Sequence, residues 1–198
     1  MKYKKNWEEA KVKWGNYWKQ QNTGRPLMCV IARKPEVEKF SGGKPVEGGC
    51  KDIICQGLFY NLPEKLKWKS MEDKYQNAEQ IVGRYRHFCE THEFLGESFP
   101  NLNVDFGPGS LAAYLGSDIS FKEDTIWFHP CIEDWDEAPA FRFDSENPWF
   151  QKHLALVKRC RELAGDDFYV DMPDLMENLD VLRSEERRVG KECRSRWS

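Results

Sequence analysis

The pattern of apolar and polar positions predicts helices and strands that alternate along the first half of the chain. Apolar residues at helical spacing predict an amphipathic helix over about 4–20. The continuous apolar run 27–32 then predicts a buried parallel strand that ends at Arg33. A second helical period runs over 70–92, and residues 34–57 before it are predicted to form a long loop.

The second half of the chain continues the alternation. Residues 102–106 are predicted to form a strand, which leads into a short apolar helix over 110–115. After a short extended piece over 125–128, the pair Asn147-Pro148 predicts the start of a helix that Gly165 closes. Residues 167–172 are predicted as a third strand. Strands and helices in this order predict an α/β protein with a parallel sheet.

Each of the three predicted strands ends in a charged residue, and these residues are Arg33, Asp105 and Asp171. In α/β proteins ligands lie outside the carboxyl ends of parallel strands, so we expect the three ends to share one rim. Gly107-Pro108-Gly109 follows Asp105 after a single residue, Phe106, which predicts a glycine-lined turn near a carboxylate. A purely structural alternative is that Asp105 caps this turn and the glycines let the backbone bend.

The last sixteen residues change the interpretation of the composition. Residues 183–198 resemble the conceptual translation of a short-read sequencing adapter, so we expect 1–182 to be the native part of a truncated protein. The alternatives are a solvated basic tail or a nucleic-acid arm. The tail carries six Arg or Lys and three Asp or Glu, so its exclusion takes the formal charge of the chain from -3 to -6. Without it, no basic patch suggests a nucleic-acid partner.

Cysteine usage and the lack of several short motifs narrow the possible class of protein further. Six of the seven cysteines precede residue 183, without CxxC spacing and without an apolar signal segment, which predicts a reduced, cytoplasmic setting. Cys29, Cys89 and Cys160 fall in apolar patterns and are expected in the core. No run has the length of a membrane span, and neither a GxGxxG nor a Walker pattern favours a nucleotide. His87 and His92 are five residues apart, so no metal pair is expected.

An acidic stretch surrounds Trp135. It contains Glu133, Asp134, Asp136 and Glu137. Clustered carboxylates are compatible with a metal site, or with a glycosidase in which Asp105 acts with Glu133 or Asp134. The simpler interpretation is a solvated turn.

Five phrases in order along the chain resemble the amino-terminal half of bacterial proteins in the uroporphyrinogen decarboxylase superfamily. They are Arg-Pro-Leu-Met over 25–28, Val-Asp-Phe-Gly-Pro-Gly over 104–109, Trp-Phe-His-Pro-Cys-Ile-Glu-Asp-Trp over 127–135, Phe-Asp-Ser-Glu-Asn over 143–147 and Pro-Asp-Leu-Met-Glu-Asn-Leu-Asp over 173–180. The resemblance implies a (β/α)8 TIM barrel, of which 1–182 supplies about three βα units, an incomplete amino-terminal part. The competing topology is an open doubly wound sheet.

The resemblance also implies a chemistry. The superfamily contains tetrapyrrole decarboxylases, which are lyases, and corrinoid-dependent methyltransferases. In the decarboxylases an Asp near the end of an early strand binds pyrrole N–H groups and stabilises positive charge on the protonated ring. Asp105 matches that catalytic residue by strand order. The ligand-binding rim would then comprise Arg33, Phe106, Gly107, Gly109, Asp171, Asp174 and Glu177.

Methyl transfer is slightly favoured over decarboxylation, because Arg33 is the one cation at the predicted strand ends and a porphyrinogen carries many carboxylates. A methyltransferase would use zinc and a corrinoid, with His and Cys ligands in the carboxyl half, whereas a decarboxylase needs no cofactor. The implied partners are a small-molecule or tetrapyrrole ligand, a corrinoid protein and, for the intact protein, a second copy. The alternative function is a noncatalytic corrinoid or small-ligand binding barrel. The truncated chain by itself is not expected to turn over substrate.

Overall fold

The structure is a computed structural model that describes residues 1–21, 24–37, 62–107, 109–123, 126–132, 134–138, 140, 142–171, 173 and 175. The helices are α1 (Trp7–Trp18), α2 (Met71–Tyr75), α3 (Ala78–Thr91), α4 (Ser110–Tyr114) and α5 (Pro148–Ala164). The strands are β1 (Cys29–Arg33), β2 (His92–Gly96), β3 (Asn101–Leu102), β4 (Asp118–Phe121), β5 (Ile126–His129) and β6 (Tyr169–Val170). Short 3-10 turns cover Glu64–Leu66 and Trp135–Glu137.

The strands form three two-stranded sheets, so the predicted α/β class is confirmed, and the described residues form no closed barrel. The chain divides into two compact units. The first comprises Met1–Asn103 and Arg159–Asp171, and the second is built on Val104–Lys158. Among the helices of the described residues, none combines the length and the apolar character that a membrane crossing requires.

The first sheet corrects the prediction for β1. The apolar run predicted a buried parallel strand, but β1 pairs antiparallel with β2, with Val30 opposite Leu95. Both of these side chains are exposed, and so is Cys29, which was predicted to be in the core. Val30 and Leu95 share one face of the sheet because they lie opposite each other, and an apolar run alone does not show that this face is exposed. Cys89 and Cys160 are buried as predicted.

The predicted helix over 70–92 is two helices. The expected start at Ser70 is confirmed, since its hydroxyl accepts the Asp73 N–H at 3.2 Å. Asn77 then interrupts the helix with an extended backbone and caps α3 by accepting the Gln80 N–H at 3.2 Å. An Asn at this position favours a new N-terminus over continuation, because its side chain replaces a missing backbone acceptor. His92 begins β2 and is not a helix residue.

The predicted parallel pairing of the second and third strands is confirmed in a shorter form. β3 and β6 are parallel, with Asn101 opposite Tyr169 and Leu102 opposite Val170. Asn147 caps α5 as expected, because its side chain accepts the N–H groups of Trp149 and Phe150. The parallel pair thus follows from the alternation of strand, helix and strand that the sequence pattern predicted.

A buried carboxylate joins three segments of the first unit. Glu97 lies directly after β2, and its side chain is 2% exposed. Arg25 donates to both of its oxygens, at 2.8 and 2.7 Å, and Lys13 on α1 donates at 3.2 Å. The Met28 N–H adds a bond of 2.9 Å, while the Trp14 indole donates to the Glu97 backbone carbonyl at 2.8 Å. The carboxylate therefore links α1, the segment before β1 and the end of β2.

We predict that Glu97→Gln lowers the free energy of unfolding by about 1–3 kcal/mol, since one oxygen of the buried carboxylate becomes an NH2 group that faces other donors. Urea unfolding of both proteins measures the difference. Glu93→Gln, at an exposed position of β2, the strand that Glu97 follows, is the matched control and should change little. Equal losses in the two variants would contradict the role assigned to Glu97.

The same carboxylate sets an acid limit on stability. Hydrogen bonds from Arg25, and then from the Met28 N–H, lower the pKa of Glu97 from the ordinary 4.5 to about 2. The unfolded chain therefore binds this proton first as pH falls, so the contribution is complete above pH 4.5 and is lost towards pH 2. Glu97→Gln should lack this part of the acid dependence when unfolding is measured between pH 5 and pH 2.

Candidate functional site

Asp105 lies in the second unit, in an extended segment. β3 ends at Leu102, so the carboxylate comes three residues after the strand and not at its last position as predicted. Its neighbours Val104 and Phe106 are buried, whereas Asp105 is half-buried. One oxygen of Asp105 accepts the Gly107 N–H at 2.8 Å. In this extended segment the side chains alternate. Val104 and Phe106 point into the core, and the Asp105 carboxylate points to the other, less buried side.

A buried histidine fixes the backbone on the inner side of Asp105. His153 on α5 is 1% exposed, and its Nε2 lies 2.8 Å from the Val104 carbonyl oxygen. Because a carbonyl can only accept, Nε2 carries the proton and Nδ1 accepts the hydroxyl of Tyr114 at 2.5 Å. Tyr114, Nδ1, Nε2 and the Val104 carbonyl thus form a continuous chain of hydrogen bonds.

Burial keeps the members of this chain neutral. It raises the pKa of Tyr114 to about 12, so the phenol retains the proton that it donates. Burial also lowers the pKa of His153 from 6.5, against the opposing effects of the Val104 carbonyl and Asp105. A neutral imidazole needs one donor and one acceptor partner, and both are present here.

Aromatic packing holds the other neighbour of Asp105. The ring of Phe106 stacks on the imidazole of His153, with centroids 4.3 Å apart. Phe121 on β4 and Trp149 on α5 contact Phe106 edge-on, at 5.6 and 6.0 Å. His153 therefore contacts both residues that flank Asp105, which restricts the orientation of the carboxylate.

The glycine turn after Asp105 is closely packed. Gly107 has φ +88°, a conformation that favours glycine, and its carbonyl accepts the hydroxyl of Ser110 at 2.7 Å. A Cβ at Gly109 would come within 2.5 Å of the ring of Phe128, and one at Gly107 would lie 3.4 Å from Ile126. The close approach that the glycines allow is thus made by β5. Pro108 lies outside the described residues.

Of the remaining predicted rim residues, Arg33 and Asp171 are described, and they lie at different sheets. Arg33 ends β1 in the antiparallel sheet, whereas Asp171 follows β6 in the parallel sheet, where its carboxylate accepts the Asn101 side-chain amide at 2.7 Å. Arg33 and Asp171 therefore lie at the ends of strands in different sheets, and their place on one ligand-binding rim stays a prediction. Asp174 and Glu177 lie outside the described residues.

The acidic stretch forms an exposed turn in its described part. Asp134 accepts the Asp136 N–H at 2.9 Å, and Asp136 and Glu137 belong to a 3-10 turn whose carboxylates face solvent. Glu133 lies outside the described residues. Within the described ranges, no group of three or more His, Cys, Asp or Glu side chains is placed to hold a metal ion.

Sequence reasoning missed Tyr114 and His153. The two are 39 positions apart, so no local motif connects them. One signal was present, because His153 lies on the buried face of α5 together with Leu156, Cys160 and Ala164. A histidine at a core position of an amphipathic helix requires hydrogen-bond partners from elsewhere in the fold.

Comparison of the chain with protein-family models, with curated proteins and with solved structures gives no match. The interpretation of the site therefore depends on its own geometry and on the resemblance of the five phrases.

We predict that wild-type stability falls as pH drops below 6.5, partly because of His153. Its pKa is lowered in the folded state, so the unfolded chain binds the proton first and unfolding is favoured below the ordinary value. His153→Gln keeps an amide donor and a carbonyl acceptor but removes this titration. Urea unfolding between pH 7.5 and 5 should then show a shallower slope, by at most about 1.4 kcal/mol per pH unit.

His129 provides the matched control for this measurement. It lies in the same unit at an exposed position of β5. The variant His129→Gln controls for the loss of an imidazole from the unit, and an unchanged slope in His153→Gln would show that His153 is not the group that titrates.

Proposed function

We propose that this chain is the amino-terminal part of a uroporphyrinogen decarboxylase-like (β/α)8 barrel, and that Asp105 binds the N–H groups of a tetrapyrrole ligand. The observation that carries the proposal is the half-buried carboxylate itself, oriented by Gly107 on one side and backed by buried neighbours on the other. The parallel β3–β6 pair, reached through α5, supports a βα architecture at the level of one strand pair.

The charge of Asp105 suits this role. Within the described ranges Asp105 forms no ion pair with Lys, Arg or His, and its carboxylate accepts one hydrogen bond, from the Gly107 N–H. The nearby Tyr114 and His153 are held neutral by burial. An unneutralised carboxylate attracts N–H donors and stabilises positive charge that develops on a pyrrole ring when the ring is protonated.

Methyl transfer at a corrinoid is the second candidate. It is favoured by the scarcity of cations near the predicted strand ends, since a porphyrinogen with many carboxylates would need several. Zinc would supply an activated thiolate in such an enzyme. No metal-binding group is found among the described residues, so we assign no zinc ligand and no step of the reaction to this part of the chain. A noncatalytic binding barrel would use the same Asp105 contact without a chemical step.

We predict that Asp105→Asn weakens binding of uroporphyrin to the full chain by about tenfold or more, because a hydrogen bond to a charged group contributes about 1.5–3 kcal/mol. Porphyrin absorbance and quenching of tryptophan fluorescence measure the affinity. A parallel titration with hydroxocobalamin separates the two candidates, since binding of the corrinoid in place of the porphyrin would favour methyl transfer.

Asp144→Asn is the matched control. One oxygen of Asp144 also accepts an N–H two residues later, that of Glu146 at 2.9 Å, but this side chain is exposed and lies outside the glycine turn. Its substitution should leave the affinity unchanged. If the wild-type chain binds neither probe, or if both substitutions have equal effects, the proposed role of Asp105 is wrong.

A further inference from the structure

The β4–β5 hairpin of the second unit has two chemically different faces. Side chains alternate along each strand, and the register pairs residues that share a face. Ile119 is buried, and Phe121 packs edge-on against Phe106 with centroids 5.6 Å apart, so their face points inward. The opposite face, which we call the outer face, is formed by Asp118, Ser120, Trp127 and His129.

Trp127 gives the outer face an accessible aromatic surface. Its residue is 42% exposed, although tryptophan is highly buried on average. Ser120 lies directly opposite it on β4, which places the Cβ atoms of the two residues about 4.5–5.5 Å apart. A hydroxyl group therefore lies beside the indole, where one small ligand can contact both.

Hydrogen bonds hold the polar side chains of the outer face. Ser120 Oγ and His129 Nε2 are 2.6 Å apart. Asp118, opposite His129, accepts the Ile119 N–H at 2.9 Å through one carboxylate oxygen. A hydroxyl has one donor and two acceptor sites, an imidazole has two ring nitrogens and a carboxylate has about four acceptor sites, so each group retains capacity for a ligand. The outer face thus combines donors and acceptors around an aromatic ring.

The size and the charges of the outer face restrict what it can bind. Because β4 and β5 have four residues each, the face is about 13 Å long. A stable protein interface needs about 800 Å² on each partner, which four side chains on two short strands do not supply. Asp118 is the one acid among the four positions, and the exposed pair Lys122-Glu123 after β4 adds one charge of each sign. A small neutral ligand matches this face better than a protein, a phosphate or a polycation.

A sugar ring has the chemistry that the outer face complements. In a β-linked glucose chain the hydroxyl groups lie at the edge of each ring, and C–H groups cover its two flat sides. We propose that the outer face binds a neutral, flat, β-linked oligosaccharide, with Trp127 stacked on one sugar ring and the polar side chains of the face bonded to its hydroxyl groups. This site is separate from the contact proposed for Asp105 and does not depend on it.

The test titrates the full chain with cellohexaose, a soluble β-1,4-linked glucose chain, and follows the backbone amides by two-dimensional NMR. We expect a dissociation constant of about 1 mM, since one stacking ring and a few exposed hydrogen bonds give weak affinity. The shifts should be confined to β4, β5 and the residues next to them. Trp127→Ala should weaken binding about tenfold or more, an effect known from bases that stack on aromatic side chains.

Trp18→Ala is the matched control. Trp18 is 75% exposed, but it lies on α1 in the first unit. Its substitution also removes an exposed indole and should leave the affinity for cellohexaose unchanged. Equal losses in Trp127→Ala and Trp18→Ala would overturn the assignment of the site to the outer face.

Two variants of Ser120 decide the question if Trp127→Ala does not fold. Ser120→Ala removes the partner of His129 Nε2 and should weaken binding about threefold to tenfold. Ser120→Thr keeps the hydroxyl and suits a strand, so it should retain the wild-type affinity. A loss in Ser120→Ala that Ser120→Thr does not show assigns the effect to the hydrogen bond rather than to the fold.

The outcomes that contradict the proposal are specific. Cellohexaose at millimolar concentration may leave the β4 and β5 amides of the wild type unshifted, or Trp127→Ala and Ser120→Ala may bind it as the wild type does, and either result overturns the site. Maltohexaose, an α-linked chain of the same length that coils, should bind more weakly, and equal binding overturns the choice of a flat chain. Asp105→Asn should bind cellohexaose unchanged, so this result and that of the porphyrin titration are independent.

Discussion

The Glu97 carboxylate is the interaction on which the first unit depends. A buried charge is tolerated where several donors satisfy it, and here two cations and a backbone N–H do so. The donors come from α1 and from the segment before β1. They therefore connect both to the end of the two-stranded sheet where β1 begins and β2 ends. The arrangement also bears on function. Arg25 belongs to the first phrase of the resemblance, but its guanidinium is engaged by Glu97, and a ligand carboxylate would have to compete with that pair.

Neutral groups support Asp105 in the described part of the second unit. Tyr114, His153 and the Val104 carbonyl satisfy one another as neutral groups, and Phe106 stacks on the imidazole. A cation in place of His153 would partly neutralise Asp105. Because the supporting groups are neutral, they do not offset the negative charge of Asp105. Neutral support beneath the half-buried carboxylate suits the proposed binding role, since the geometry is then fixed before a ligand arrives.

The parts of the fold that the sequence predicted are those with local causes. Ser70 and Asn147 start helices through their own side chains, so both starts were readable. Asn77 has the same property, yet the helical period on both sides of it concealed the break. β2 and β4 were missed because each is short and is defined by its partner strand. Asp105 could be predicted from a strand followed by glycines. The Tyr114–His153 contact is tertiary, and its one indirect signal in the sequence is a histidine on a buried helix face.

The glycine turn shows why capping and binding need not be alternatives for Asp105. The sequence left open whether this residue caps the turn or binds a ligand, and the structure shows that it does accept the Gly107 N–H. That bond uses one lone pair of one oxygen, while a carboxylate has about four acceptor sites. This hydrogen bond fixes the side-chain rotamer of Asp105, and the rotamer in turn fixes the position of the second carboxylate oxygen. Gly107 contributes to both roles, since its N–H binds the carboxylate and its positive φ, which favours glycine, sets the course of the turn that follows.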